Sequence, residues 1–375
     1  MSVSYGGDSI TFADNSTITS GWTGFKNKII NGSMRIDQRN SGTAVNNASL
    51  NFGADRWRMY GNSTNKFIVQ QVTSNTSASN YESGSVPTGY GFTHSTKITA
   101  NGATSVGTSE TYRFEQSIEG NNIADLDWGT ANAKPVTLSF WIKSSLTGTF
   151  SIAAWNGGTG TIVSYVTTYS IIAANTWEYK TITIPGATTG LWDVGVNQGL
   201  VVQWSLGAGS SYSTSAMSSW PAPGNLYTAV TGQTTFVATN GATMYLTGVQ
   251  VERGSTASSF EHRPYGTELH MCKRYCEVWR YDSTATTDRY HSGVGWTDQA
   301  IFKLEVEKRS TPSVTITGST ELRDGSNAAK PITSVNANKY AIQLGIANGT
   351  TLSNSLATIR MPSGATDAVI ISAEI

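Results

Sequence analysis

Short runs in which apolar and polar residues alternate recur along most of the chain. In PVTLSFWIK, Val136, Leu138, Phe140 and Ile142 share one face, while Thr137, Ser139, Trp141 and Lys143 share the other. That two-residue period is the mark of a strand with one side in a core. FSIAAW repeats it, with Phe150, Ile152 and Ala154 opposite Ser151, Ala153 and Trp155. RFEQSI sets Phe114, Gln116 and Ile118 against Arg113, Glu115 and Ser117, and LVVQWSL and MYLTGVQV supply further strands. The segment SSLTGT between the first two runs has the length and residues of a hairpin link. Such a link would set Trp141 and Trp155 on neighbouring strands. Many short strands, Gly-rich turns and little helix predict a β-sandwich.

After Tyr265 the period changes. In GTELHMCKRYCEVW, Leu269, Cys272, Cys276 and Trp279 are spaced three, four and three apart, one apolar stripe of a helix, with Thr267 placed to cap it. Alternation then returns at Phe302, Leu304 and Val306, at Tyr340, Ile342, Leu344 and Ile346, and at Val369, Ile371, Ala373 and Ile375. The organisation expected from these patterns is an extended N-terminal arm over 1–28, a large β domain over 29–265, a linker helix over 266–280 and a smaller C-terminal β-sandwich over 281–375.

Charge sharpens this picture by what it withholds. Only 13% of residues are charged and 25 basic residues balance 25 acidic ones, so no global field favours nucleic acid or an acidic membrane surface. The opening MSVSYGGDSI lacks the basic and apolar regions of a secretory signal. No apolar run reaches the length of a membrane span. The expectation is a chain that folds in a cytoplasm, without membrane insertion or nucleic-acid binding.

Catalytic motifs are lacking: there is no GxSxG, GxGxxG, P-loop or HExxH. Cys272 and Cys276 lie on the apolar stripe, His270 faces another side of the helix, and His94, His262 and His291 stand in unrelated contexts. Buried structural thiols are expected there, with no metal and no cofactor. Glu115, Glu119, Asp125 and Asp127 are the acidic cluster from which a glycosidase pair would have to come, and Glu115 and Glu119, sharing a strand face with Arg113, fit a salt-bridged surface equally. Trp141, Trp155 and the neighbouring Lys143 are the candidate ligand-binding residues. Flat aromatic faces turned away from the core stack well on the C–H faces of sugars. The competing reading is that another layer, a loop or a neighbouring subunit covers them.

Several longer phrases resemble a known family. FKNKIINGSMRIDQRNSG (25–42), ADRWRMY (54–60), QSIEG (116–120), LSFWIKSS (138–145), WEYKTITIPG (177–186), YLTGVQVERGS (245–255) and FEHRPYGTELHMCKRY (260–275) together resemble a bacteriophage tail-fibre family whose body looks like a carbohydrate-binding-module jelly roll. The resemblance spans about 30–275 and fades beyond 281. It implies a jelly-roll fold and a homotrimeric virion protein exposed on tail or capsid. It also implies attachment to other phage proteins through the arm, and host surface polysaccharide as the partner. Trp141 lies within the shared phrases and Trp155 outside them. The function expected is a non-enzymatic fibre or spike protein that binds host glycan during adsorption. The alternatives are a structural capsid or tail decoration protein without receptor binding, and a polysaccharide depolymerase.

Overall fold

The computed structural model describes residues 4–6, 9–11, 17–19, 25–48, 51–157, 160–280, 289–295, 298–318, 320–323, 329–346, 352, 356–361 and 368–375. They divide into two compact units, Met1–Pro264 and Tyr265–Ile375.

The first unit is an all-β jelly-roll sandwich of two six-stranded antiparallel sheets. Sheet I runs in the order Glu178–Ile184, Val136–Ser144, Thr243–Arg253, His94–Ala100, Phe67–Thr73, Val45–Asn46. Sheet II runs Ser164–Ile171, Gly148–Asn156, Gln198–Ala208, Thr111–Glu119, Arg58–Gly61, Asn51–Phe52. The alternation explains the packing. Leu138, Phe140 and Ile142 of sheet I and Phe114, Phe150, Ile152 and Trp204 of sheet II turn inward and are buried in one core. Phe140 sits between the sheets, edge-on to Trp204 at 5.3 Å and to Tyr169 at 5.4 Å. Trp57 stacks on Phe114 at 5.2 Å and reaches Trp204 at 5.7 Å, so one aromatic chain crosses the sandwich.

The SSLTGT segment does not close a hairpin. It carries the chain from sheet I to sheet II. Both edges of the Val136–Ser144 strand are already taken, by Glu178–Ile184 and Thr243–Arg253. The apolar faces of the Val136–Ser144 and Gly148–Asn156 strands therefore meet across the core instead of lying side by side. Consequently Trp141 and Trp155 leave opposite outer faces of the sandwich.

Of the N-terminal arm, Ser4–Gly6, Ser9–Thr11 and Thr17–Thr19 form a small antiparallel sheet, and the rest of 1–24 lies outside the described residues. Residues 25–28 belong to the sandwich. Lys28 N donates to Val251 O at 2.8 Å and Asn27 Nδ2 to Val249 O at 3.1 Å. Arg263, buried at the end of the unit, donates to the carbonyls of Ile29 and Asn27. The NGSMRID phrase that follows is held by its own polar groups. Asn31, at φ +58°, donates to Ile36 O (2.8 Å) and Asp55 O (2.9 Å), and its carbonyl accepts from Trp57 Nε1 at 3.0 Å.

The second unit opens with the helix Tyr265–Lys273. The helix is shorter than the apolar stripe predicts, because Cys276–Arg280 is a strand paired with Ala368–Ser372. That pairing places Trp279 beside Phe302 at 6.2 Å in the second core, and tertiary packing overrides the helical spacing. Among the described residues the unit contains a three-stranded and a seven-stranded sheet. Phe302, Leu304, Ile342, Leu344, Val369 and Ile371 are in its core, as their alternation requires. Tyr340 is the member of its run that stands exposed.

Candidate functional site

The outer face of sheet I carries two adjoining rungs of side chains. In the first, Tyr179 pairs with Trp141, which pairs on its other side with Thr247. In the second, Lys143 lies opposite Tyr245, which lies opposite Lys97. Strand alternation alone turns all six side chains away from the core. The loop between the Phe67–Thr73 and His94–Ala100 strands then folds over this face and adds Glu82, Gly84 and Tyr90.

The first rung forms an aromatic shelf. The Tyr90 ring lies 4.3 Å from Trp141, and the Tyr179 ring 5.3 Å from Trp141 on its other flank, tilted by 46° and 43°. Tyr90 is 53% exposed and Tyr179 43%, with Trp141 half-buried between them. Gly248 lies beneath this group in the left-handed region, at φ +62°. A Cβ there would fall 2.6 Å from Phe92 Cζ and 3.1 Å from Trp141 Cδ1. Phe92 in turn packs on Phe260 at 5.0 Å, giving the shelf a firm base.

The second rung is a polar brace. Lys143 Nζ donates to Gly84 O at 2.7 Å and lies 4.0 Å from the Tyr245 ring centroid and 5.5 Å from that of Trp177. Trp177 Nε1 donates to the same Gly84 carbonyl at 3.1 Å. Lys97 Nζ donates to Glu82 at 2.9 Å, and the Tyr245 hydroxyl donates to the other Glu82 oxygen. Burial favours the neutral acid at Glu82. The hydrogen bonds from Lys97 and Tyr245 and the two ammonium charges outweigh it, and hold the carboxyl below its ordinary range. Burial lowers the Lys143 ammonium, with Glu82 acting against that and Lys97 with it. Lys143 thus positions the loop that presents Tyr90.

Trp155 occupies a different place. It lies on the outer face of sheet II but is only 5% exposed. Ala153, Val166 and Val201 surround it, and Met217, Leu226, Tyr227 and Val230 of the following segment pack over that patch. The structure therefore brings Trp141 and Lys143 together and keeps Trp155 apart from them.

The acidic candidates do not converge on one site. Glu115 is buried between Arg58 and Arg113, accepting at 2.6 and 2.7 Å. Asp125 accepts from Lys28 at 2.6 Å, Glu119 accepts from Asn121 at 3.1 Å, and Asp127 occupies a left-handed turn at φ +54°. Cys272 and Cys276 form no disulfide, and both are buried. His291 lies at a position whose side chain is outside the described residues. Among the described residues no group of three or more His, Cys, Asp or Glu side chains is arranged to hold a metal ion, and no helix is long and apolar enough to cross a membrane.

Sequence reasoning did not reach Tyr90 or Tyr179. Tyr179 was within reach, since WEYKTITI alternates and its outward set contains Tyr179. Tyr90 lies in a loop without periodicity.

The sequence matches no family model and no curated protein. Solved structures do resemble the fold. The enzymatically active domain of tailspike protein 4 of bacteriophage CBA120 is 12% identical, with a TM-score of 0.31 over 61% of this chain. The match spans only 21% of that tailspike chain. The TmCBM61 module in complex with β-1,4-galactotriose is also 12% identical, with a TM-score of 0.28 over 61% of this chain and all of that one. A putative sugar-binding protein from Bacteroides thetaiotaomicron is 10% identical, with a TM-score of 0.35 over 61% of this chain and all of that one.

Proposed function

We propose that this chain is a non-enzymatic glycan-binding protein and that the Tyr90–Trp141–Tyr179 shelf is where it holds sugar. The observation that carries the reading is the shelf itself. Three aromatic rings are turned outward on a sheet face, two of them about half exposed and the third between them. Grouped exposed aromatic surface of this kind marks an interaction site. Rings set side by side offer flat apolar faces with polar tips, which suits pyranose rings better than it suits a lipid or a charged polymer.

Within that reading, the resemblance of residues 30–275 to phage tail-fibre proteins supports a place on a virion, exposed to the host surface and folded in the host cytoplasm. The segment before residue 25 would then attach the protein to tail or capsid. Assembly as a homotrimer would multiply a weak single-site affinity through avidity. The brace of Lys97, Glu82, Tyr245 and Lys143 serves to hold the shelf, and no hydrolytic step is assigned to its carboxylate.

The test is binding of fluorescently labelled protein to a panel of intact bacteria, before and after mild periodate oxidation of surface sugars. Binding that periodate abolishes supports the proposal. Binding that survives oxidation unchanged, or absence of binding throughout the panel, contradicts it. Reducing sugar released from the bound cells would contradict the non-enzymatic part.

A further inference from the structure

We propose a second, separate ligand site on sheet II, a cleft beside Trp155 that takes the carboxylate of a single acidic sugar residue. The cleft holds about 320 Å³ and is lined by Arg58, Arg113, Trp155, Asn156, Ile162 and Gln198, among others. That volume is at the lower end for small-molecule sites and suits one ring instead of a chain of them.

Its charge is set by an uneven triad. Glu115, fully buried, accepts from Arg58 Nε at 2.6 Å and from Arg113 Nε at 2.7 Å. One carboxylate against two guanidiniums leaves about one positive charge uncompensated. The Arg113 guanidinium also lies over the Tyr60 ring, 3.7 Å from its centroid, and 5.4 Å from that of Trp155, contacts that hold it in place. With Nε committed to Glu115, its two terminal amino groups have no protein partner among the described residues. A guanidinium edge held in this way is preorganised for two parallel hydrogen bonds to a carboxylate.

The rest of the wall suits a sugar better than a bare anion. Gln198 spends its amide N–H on Ser117 Oγ at 2.6 Å, which leaves its carbonyl oxygen to accept from a hydroxyl. An edge of the otherwise covered Trp155, together with Ile162, supplies the apolar part of the wall. Asn156 is fully engaged, donating to Thr161 O and Leu191 O and accepting from Val163 N, so it shapes the cleft without offering it a group. The sugar assignment rests on the glycan reading above; the anion site does not.

The experiment is calorimetric titration of the full chain with sodium D-glucuronate, methyl β-D-glucoside, sodium acetate and sodium phosphate. Glucuronate should bind at least tenfold more tightly than any of the other three. Arg113→Lys keeps the charge but removes the fork, and Gln198→Glu adds a repelling carboxylate at a half-buried position. Each should weaken glucuronate at least tenfold. Gln198→Glu, whose position lies outside the Glu115 triad, should do so with the thermal midpoint unchanged, whereas Arg113→Lys also loosens the buried Glu115 and lowers the midpoint. Trp141→Ala should leave this titration unchanged, so the two sites can fail independently. Glucuronate binding no better than acetate or phosphate overturns the acidic-sugar assignment. No binding, or undiminished binding in Gln198→Glu, overturns the site.

Discussion

The ring of Tyr90 lies 4.3 Å from that of Trp141, although one residue comes from a loop and the other from the middle of a strand. The contact turns a single outward tryptophan into a shelf. An aromatic pair of this kind contributes about 1 kcal/mol beyond its buried area. Tyr90→Ala should therefore cost about 1 kcal/mol of folding stability, and by removing one stacking face it should weaken glycan retention about fivefold, measured by denaturant titration beside affinity electrophoresis.

Gly248 makes room for that shelf. At φ +62°, with Phe92 Cζ 2.6 Å from where a Cβ would stand, the position resists any side chain. Gly248→Ala should cost about 1–3 kcal/mol of stability through backbone strain and the forced shift of Phe92. Guanidinium unfolding of the variant against wild type measures this.

Asp37 gives the first unit a pH signature. Burial, with the neighbouring Asp55 charge adding to it, raises its carboxyl from 3.8 to about 6, against the lowering effect of hydrogen bonds from Gly42 and Asn40. The folded state then binds more protons than the unfolded state between these values, so this group's contribution to stability is lost as pH rises through them. Relative to Asp37→Asn, wild type should gain stability as pH falls from 7 towards 4. Thermal midpoints of both proteins across that range check the sign.

Lys308 and Glu277 form a buried ion pair in the second unit, 2.6 Å apart, with Trp279 Nε1 donating to the other carboxylate oxygen at 2.8 Å. Lys308→Met leaves that carboxylate buried without its cation and should cost about 3–5 kcal/mol. Pairing it with Glu277→Gln should recover part of the loss. Chemical denaturation of the two variants reads both effects.

Much of the first unit was legible in the sequence because alternation follows directly from strand geometry. The inward set Leu138, Phe140 and Ile142 and the outward set Trp141 and Lys143 needed only a period of two. What could not be read was which strand lies beside which. Phe150 and Ile152 satisfy their burial equally well as edge neighbours of Phe140 and Ile142 or as partners across the core. The structure takes the second course, and with it Trp155 moves to the opposite face. Cover is equally invisible to periodicity: Met217, Leu226 and Tyr227 lie in a stretch without alternation, yet they pack over the patch around Trp155. Tyr90 escaped notice for the same reason. The helix begins at Tyr265, where the change of period predicts it, and ends at Lys273, short of the predicted stripe, since the spacing from Leu269 to Trp279 reads the same whether Trp279 continues a helix or enters a sheet.

The most direct test of the glycan-binding account is a glycan array probed with wild type and Trp141→Ala side by side. Trp141 is partly exposed at the centre of the shelf and stands outside the core cluster, so its loss removes the stacking surface without opening the core. The account predicts retention of wild type on a defined set of glycans and a loss of about tenfold or more in the variant, with an unchanged thermal midpoint. Equal retention of the two proteins, or no retention of wild type on any glycan, would contradict it.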